Sequence, residues 1–245
     1  MKAIILSAGQ GSRLLPLTED CPKCLLPVGD RSALELQIDH LYAAGVRDIV
    51  VVVGFLAGVV ENKVATIQKP GLAVRTLFNP FFDVSDNLAT CWMAREEMDG
   101  PFMVLNGDTM FEPAICEKLL QAPAAPITMA VDFKAAYDAD DMKVRLDGDR
   151  VLEVDKSIEL SAVDGESIGM LLFRGEGPGL FRGILDQEMR KQIGIKRFYL
   201  KAISVLAEQG CVAAQSIKGL KWGEIDFPED LAYVQTLFAG APVRR

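Results

Sequence analysis

Residues 2–28, KAIILSAGQGSRLLPLTEDCPKCLLPV, decide how the rest of the chain is read. The apolar run at 2–6 has the texture of a buried strand. It passes into a loop holding Gly9 and Gly11, with Arg13 just beyond and Lys23 further on. Glycines let a backbone approach phosphate oxygens and aim several N–H groups at them, while a guanidinium and an ammonium supply charge that a neutral loop lacks. The combination suits a nucleoside triphosphate.

Two better-known phosphate loops do not match. A Walker loop requires Gly-Lys followed by Ser or Thr, which occurs nowhere in the chain. The dinucleotide fingerprint G-x-G-x-x-G has Leu14 in place of its third glycine, and Pro16 blocks the helix that should follow.

A chain of 245 residues, half of them hydrophobic, can bury one substantial core, so a single domain over 1–245 is expected, its halves meeting near residue 125. The net charge of −8 argues against nucleic acid or an anionic membrane as partner, since both reward clustered Lys and Arg. Any polyanion must therefore meet a local cationic site. No window resembles a membrane span or a signal peptide, and the odd count of five cysteines does not read as a disulfide framework, so a cytoplasmic location is expected. Cys21 and Cys24 form a C-x-x-C, but there is no second pair, and the sole histidine, His40, lies on an apparent helix as a surface or core residue. An apolar helix on the rim would permit a homodimer.

Alternating apolar patterns predict strands over 2–6, 48–53, 72–78 and 102–105, and helices over 33–44, 57–67 and 88–97. Such a run of crossovers implies an α/β fold with a doubly wound, mostly parallel, Rossmann-like sheet. Strands over 127–133, 142–146 and 151–154, separated by turns such as Asp147-Gly148-Asp149, predict a small antiparallel insertion. A strand over 167–173, helices over 180–191 and 198–208, a strand over 212–216 and a helix over 228–238 complete the pattern.

Asp108, in L-N-G-D-T, directly follows an apolar strand, and ligands of open α/β sheets bind beyond the carboxyl ends of strands. Asp226, in W-G-E-I-D-F-P-E-D, stands just before a helix that Pro228 can open. Two carboxylates from distant segments can share one Mg²⁺, a hard ion that completes its shell with water and substrate phosphates. The blander reading of Asp226 is a helix cap.

The ordered string A-G-x-G-x-R-x-x-P-L-T over 8–18, followed by Pro22-Lys23, resembles the nucleotidyltransferase family of sugar-nucleotide and choline-phosphate activating enzymes. Ser7 and Cys24 depart mildly from the small residues usual there. The resemblance extends from the loop to Asp226 and the closing E-D-L helix, and it implies that Asp108 and Asp226 hold the metal. It further implies nucleotide contacts along Leu6, Ser7, Ala8, Gly9, Gly11, Ser12, Arg13 and Lys23 and around Asn106 and Gly107. Arg13 would grip the β- and γ-phosphates and Lys23 the α-phosphate. The segment 79–90, N-P-F-F-D-V-S-D-N-L-A-T, looks like the phosphocholine and aminoethylphosphonate cytidylyltransferase branch, with Asp86 and Asn87 near the base. The same two residues also read as an N-cap pair. CTP and a small phosphate or phosphonate are thus the expected substrates. Lys156, in E-V-D-K-S, resembles the family's acceptor-phosphate lysine, and an exposed hairpin lysine is its plainer reading. Tyr137, Asp141 and Tyr199 are further expected acceptor contacts. A sugar-1-phosphate transferase using UTP or dTTP, and a noncatalytic nucleotide sensor, remain as alternatives.

Overall fold

The computed structural model describes residues 1–238. In chain order the elements are β1 (Lys2–Ser7), β2 (Pro27–Val28), β3 (Arg31–Ser32), α1 (Ala33–Ala43), β4 (Asp48–Val53), α2 (Ala57–Ala65) and β5 (Ala73–Phe78). Next come α3 (Asn87–Met93), β6 (Phe102–Asn106), β7 (Thr109–Phe111), α4 (Pro113–Gln121), β8 (Ile127–Asp132), β9 (Lys143–Asp147) and β10 (Arg150–Asp155). The chain closes with β11 (Gly165–Phe173), α5 (Gly177–Met189), α6 (Tyr199–Glu208), β12 (Val212–Ser216), β13 (Trp222–Glu224) and α7 (Pro228–Phe238).

The chain forms two compact units. The first takes residues 1–83, 105–117 and the segment from 220 onward, and the second takes 84–104 and 118–219. In the first unit β1 pairs in parallel with β4 and β4 with β5, so that Ile4 stands opposite Val50 and Val50 opposite Arg75. The β-branched run Val50–Val53 is wholly buried, as suits a central parallel strand. Helix α1 starts on a capping box: the Ser32 hydroxyl accepts from the Glu35 N–H at 3.3 Å, and the Ser32 N–H donates to the Glu35 carboxylate at 2.9 Å. Gly45, at φ 92°, ends it.

The second unit is mostly antiparallel. Strand β11, buried along its whole length, runs antiparallel to β8 and β9; β10 runs antiparallel to β9 and β12, while β8 and β12 pair in parallel. The sheet is therefore mixed, which corrects the expectation of a mostly parallel one. The connections explain it. A parallel return needs a crossover of a dozen or more residues, whereas β9 and β10 are joined by a tight turn with Gly148 at φ 63° and so pair antiparallel; the link with a 3₁₀ turn at Leu160–Ala162 leads to β11, which pairs with β9 and not with β10. The sequence reading also passed over α4 and the short strands β2, β3, β7 and β13. The helix expected over 88–97 is a seven-residue α3 followed by a 3₁₀ turn at Arg95–Glu97. Among the described residues no helix is long and apolar enough to cross a membrane.

Candidate active site

The first unit gathers the phosphate-loop residues around a cavity of about 280 Å³. Gly11 sits in the left-handed region at φ 70°, and a Cβ there would come within 3.0–3.3 Å of the stem of Lys23. The glycine therefore serves two ends: it turns the loop, and it leaves the channel through which Lys23 reaches inward. The loop is fastened from behind. The buried Thr18 hydroxyl donates to the Gly11 carbonyl at 2.9 Å, and Leu14 is fully buried in a cluster with Leu26, Leu36, Met110, Ile225 and Val234.

Asp108 and Asp226 come together through a small ladder. Strand β13 pairs antiparallel with β7, setting Glu224 opposite Thr109, and the Ile225 N–H donates to the Asp108 carbonyl at 3.1 Å. Asp230, in the first turn of α7, reaches back to fasten the entry to the helix: its carboxylate accepts from the N–H groups of Asp226 at 3.1 Å and Phe227 at 2.7 Å. Asp226 is left to face the cavity.

There it meets two cations. The Lys23 ammonium lies 2.7 Å from Asp108 and 2.6 Å from Asp226, and the Arg13 guanidinium lies 2.9 Å from Asp226 with its carbon 5.1 Å from the Phe227 ring centroid. Burial works against the charged form of Lys23, but the two carboxylates outweigh it and hold its pKa above the usual lysine value. The second oxygen of Asp108 is buried and has no hydrogen-bond partner. A pair of carboxylates already bridged by an ammonium, with one oxygen unspent, fits a hard divalent cation.

Helix α1 steadies the Asp108 turn in a way the sequence reading missed. Gln37, fully buried, donates from its amide to the carbonyls of Asn106 at 2.9 Å and Thr109 at 2.8 Å, and so spans Gly107 and Asp108. One turn later the His40 ring nitrogen contacts the Phe111 carbonyl at 2.5 Å. His40 is thus a core residue, and burial depresses its pKa. The signal for Gln37 was present as a polar residue on the apolar face of a helix. Gly107 is required by close approach, since a Cβ there would fall 2.3 Å from the Ser7 hydroxyl and 2.7 Å from the Leu6 carbonyl.

Leu6, Ser7, Gly9, Gly11, Ser12, Arg13, Lys23, Gly107, Asp108 and Asp226 thus line one cavity, together with Cys24. Burial pushes the Cys24 thiol up to about 12, so it stays protonated and unreactive at neutral pH. Ala8 is buried behind the wall, its carbonyl accepting from the Phe55 N–H at 2.9 Å, and the side-chain oxygen of Asn106 is buried without a partner.

The other expected site residues belong to the second unit. Asp86 precedes α3 but makes no side-chain cap hydrogen bond, and the Asn87 carbonyl oxygen accepts from the Tyr199 N–H at 2.8 Å. Asn87 therefore caps α6 rather than its own helix. Tyr199, expected at the acceptor, is fully buried: its hydroxyl donates to the Gly169 carbonyl at 3.2 Å and its ring meets Phe181 edge-on. That corrects its assignment, because a core tyrosine with no exposed surface offers nothing to a ligand. Tyr137 donates to the Asp164 carbonyl at 3.2 Å, and Lys156 stands 3.6 Å from Asp140.

Asp141 shares Lys134 with Glu166, at 3.0 Å and 2.5 Å. Burial raises the Glu166 pKa to about 7; Lys134 opposes that shift and the Asp141 charge adds to it. Because the folded value exceeds the unfolded one, folding favours the protonated acid. The contribution is full below about pH 4.5 and is lost as pH rises through about 7. Glu166→Gln keeps a neutral amide throughout. Denaturant unfolding of both proteins across that window should show the wild type losing roughly 3 kcal/mol relative to the variant, at about 1.4 kcal/mol per pKa unit; parallel curves would contradict the assignment.

The chain is similar to several known proteins. CMP-5'-(3-aminopropyl)phosphonate synthase of Streptomyces rubellomurinus is 32% identical over 238 residues, covering 94% of this chain and 37% of that protein. Choline-phosphate cytidylyltransferase of Streptococcus pneumoniae is 33% identical over 112 residues, 46% of this chain and 47% of the relative. The chain spans about a third to a half of the length of the first curated relatives it matches. In fold it is similar to a Bacillus anthracis protein provisionally described as a glucose-1-phosphate thymidylyltransferase, with TM-score 0.83 and 18% identity over 99% of this chain and 96% of that one. The model of the nucleotidyl transferase family matches residues 2–140, a stretch that contains the glycine loop, Lys23 and the Asp108 turn, and this chain belongs to that family.

Proposed function

We propose that this chain is a Mg²⁺-dependent cytidylyltransferase, joining the CMP of CTP to a small phosphonate or alcohol phosphate with release of pyrophosphate. The observation that carries the reading is the Lys23 ammonium bridging Asp108 and Asp226 at 2.7 and 2.6 Å beside a glycine loop. CTP is favoured over other triphosphates by relatives whose names specify a CMP product or a cytidylyltransferase.

The reaction brings two anions together. An acceptor oxygen attacks the α-phosphorus of CTP in line, a new P–O bond forms, and the bond to the departing pyrophosphate breaks. An ionised acceptor needs no general base, so the protein's task is neutralisation and alignment. The N–H groups of the Gly9–Gly11 loop approach the phosphates, Arg13 turns from Asp226 to the β- and γ-phosphates, and Lys23 turns from its carboxylates to the α-phosphate. Asp108 and Asp226 would then hold Mg²⁺, which supplies Lewis-acid charge neutralisation when bound. Gln37 keeps the Asp108 turn from moving while its salt bridge is exchanged. In the second unit Lys156 binds the acceptor's phosphate or phosphonate, with Tyr137 and Asp141 as supporting residues. Asp86 and the amide N–H₂ of Asn87 serve the cytosine, the carbonyl of Asn87 being committed to Tyr199.

Pyrophosphate release with Mg²⁺ tests this directly, using CTP, UTP, dTTP, ATP and GTP against phosphocholine, phosphoethanolamine, aminoethylphosphonate, inositol-1-phosphate and glucose-1-phosphate. Turnover confined to CTP and a phosphonate or alcohol phosphate is expected. Turnover confined to UTP or dTTP with the sugar phosphate would move the chain to the sugar-nucleotide reading.

A further inference from the structure

We propose that Lys143 is a positioning residue for the acceptor, its buried ammonium holding the turn that carries Lys156. The inference rests on the reading of Lys156 as the acceptor-phosphate contact. Lys143 opens β9 opposite Asp155 of β10 and Glu166 of β11, and is only 2% exposed. Its Nζ donates to the Lys156 carbonyl at 2.8 Å and to the Ala139 carbonyl at 3.3 Å.

Those two carbonyls belong to the two segments that define where the Lys156 side chain goes. One is its own backbone. The other adjoins Asp140, whose carboxylate lies 3.6 Å from the Lys156 ammonium. The same turn is held from its other end by Asp155, which accepts from the Ser157 N–H at 2.8 Å and hydroxyl at 2.7 Å and pairs with Lys201. The Lys156 side chain then extends over the Phe198 ring, 5.7 Å from its centroid. One buried charge thus ties the base of Lys156 to the segment that receives its tip.

The cost of that arrangement argues for a role beyond packing. Burying an ammonium is expensive even when hydrogen-bonded, and among the described residues no ion pair involves Lys143, whose charge is met by neutral carbonyls. A methionine of similar length would fill the volume without that cost. What methionine cannot do is aim two hydrogen bonds at fixed carbonyls.

The test compares Lys143→Met, Lys143→Gln, Lys156→Ala and the Lys143→Met/Lys156→Ala double variant in the whole chain, reading KM for CTP and for the acceptor separately. Lys143→Met should raise the acceptor KM about tenfold, as expected for losing a charge-assisted bond, and leave the CTP KM within about twofold. Lys143→Gln, which keeps a donor, should recover part of the loss. The double variant should be no worse than Lys156→Ala alone. If Lys143→Met does not fold, Lys143→Gln carries the same comparison. An unchanged acceptor KM in a folded variant, an equal rise in both KM values, or full additivity with Lys156→Ala would overturn the proposal. A silent Lys156→Ala would overturn the reading of Lys156 and this inference with it, whereas a raised KM there with Lys143 silent would overturn the inference alone.

Discussion

Asp108→Asn should lower kcat/KM by about a thousandfold, a loss of roughly 4 kcal/mol of transition-state stabilisation. The carboxylate carries an oxygen that is buried and unpartnered, and it stands on a turn fixed on both sides by the amide of Gln37. An amide of the same shape keeps the turn but gives up half of the charge that two carboxylates would offer a divalent cation. The variant should still fold, because Lys23 retains Asp226 at 2.6 Å. Steady-state kinetics with a thermal melt as the control checks this. A folded variant with near wild-type turnover would remove Asp108 from the metal reading.

Lys23→Met should act in opposite directions on activity and on metal binding. Turnover is expected to fall by about a hundredfold or more, since the ammonium assigned to the α-phosphate is lost. The two carboxylates, no longer bridged, then face each other with no cation between them. Like charges at that range repel, so the variant should be less stable than wild type in chelator and should gain more in Tm on adding Mg²⁺ or Mn²⁺ without nucleotide. In the wild type the ammonium already serves that purpose, and the metal-induced shift should be small until a triphosphate draws Lys23 away. Melting curves with EDTA, Mn²⁺, and Mn²⁺ plus CTP separate these cases. Equal Mn²⁺ shifts in the two proteins would show that Lys23 does not compete with the metal.

Most of the first unit's site was legible because its chemistry is local in sequence. Gly9, Gly11, Arg13 and Lys23 lie within one short stretch, and Asp108 announces itself by ending an apolar strand. What could not be read was how side chains divide labour across distant segments. Asp226 and Asp230 are both acids before or within the first turn of α7, and only the hydrogen bonds from two backbone N–H groups show that Asp230 fastens the entry to the helix. Asn87 looked like the cap of the helix it begins, yet it caps α6, more than a hundred residues on. Tyr199 illustrates the same limit: an aromatic beside basic residues suits a ligand on paper, but the i, i+3 pattern of α6 turns it into the core against Phe181. The extent of antiparallel pairing was missed for a topological reason, because apolar periodicity marks a strand and says nothing of its direction, which for β9 and β10 follows from the tight turn at Gly148.

The most direct test of the central claim is a ³¹P NMR time course of the protein with CTP, aminoethylphosphonate and Mg²⁺. The account predicts that the CTP resonances decline as pyrophosphate and a coupled phosphonate–phosphate pair appear in equal amounts, with none of this in Asp108→Asn. Release of inorganic phosphate with no coupled product, or consumption of UTP or dTTP in preference to CTP with a sugar phosphate, would contradict it.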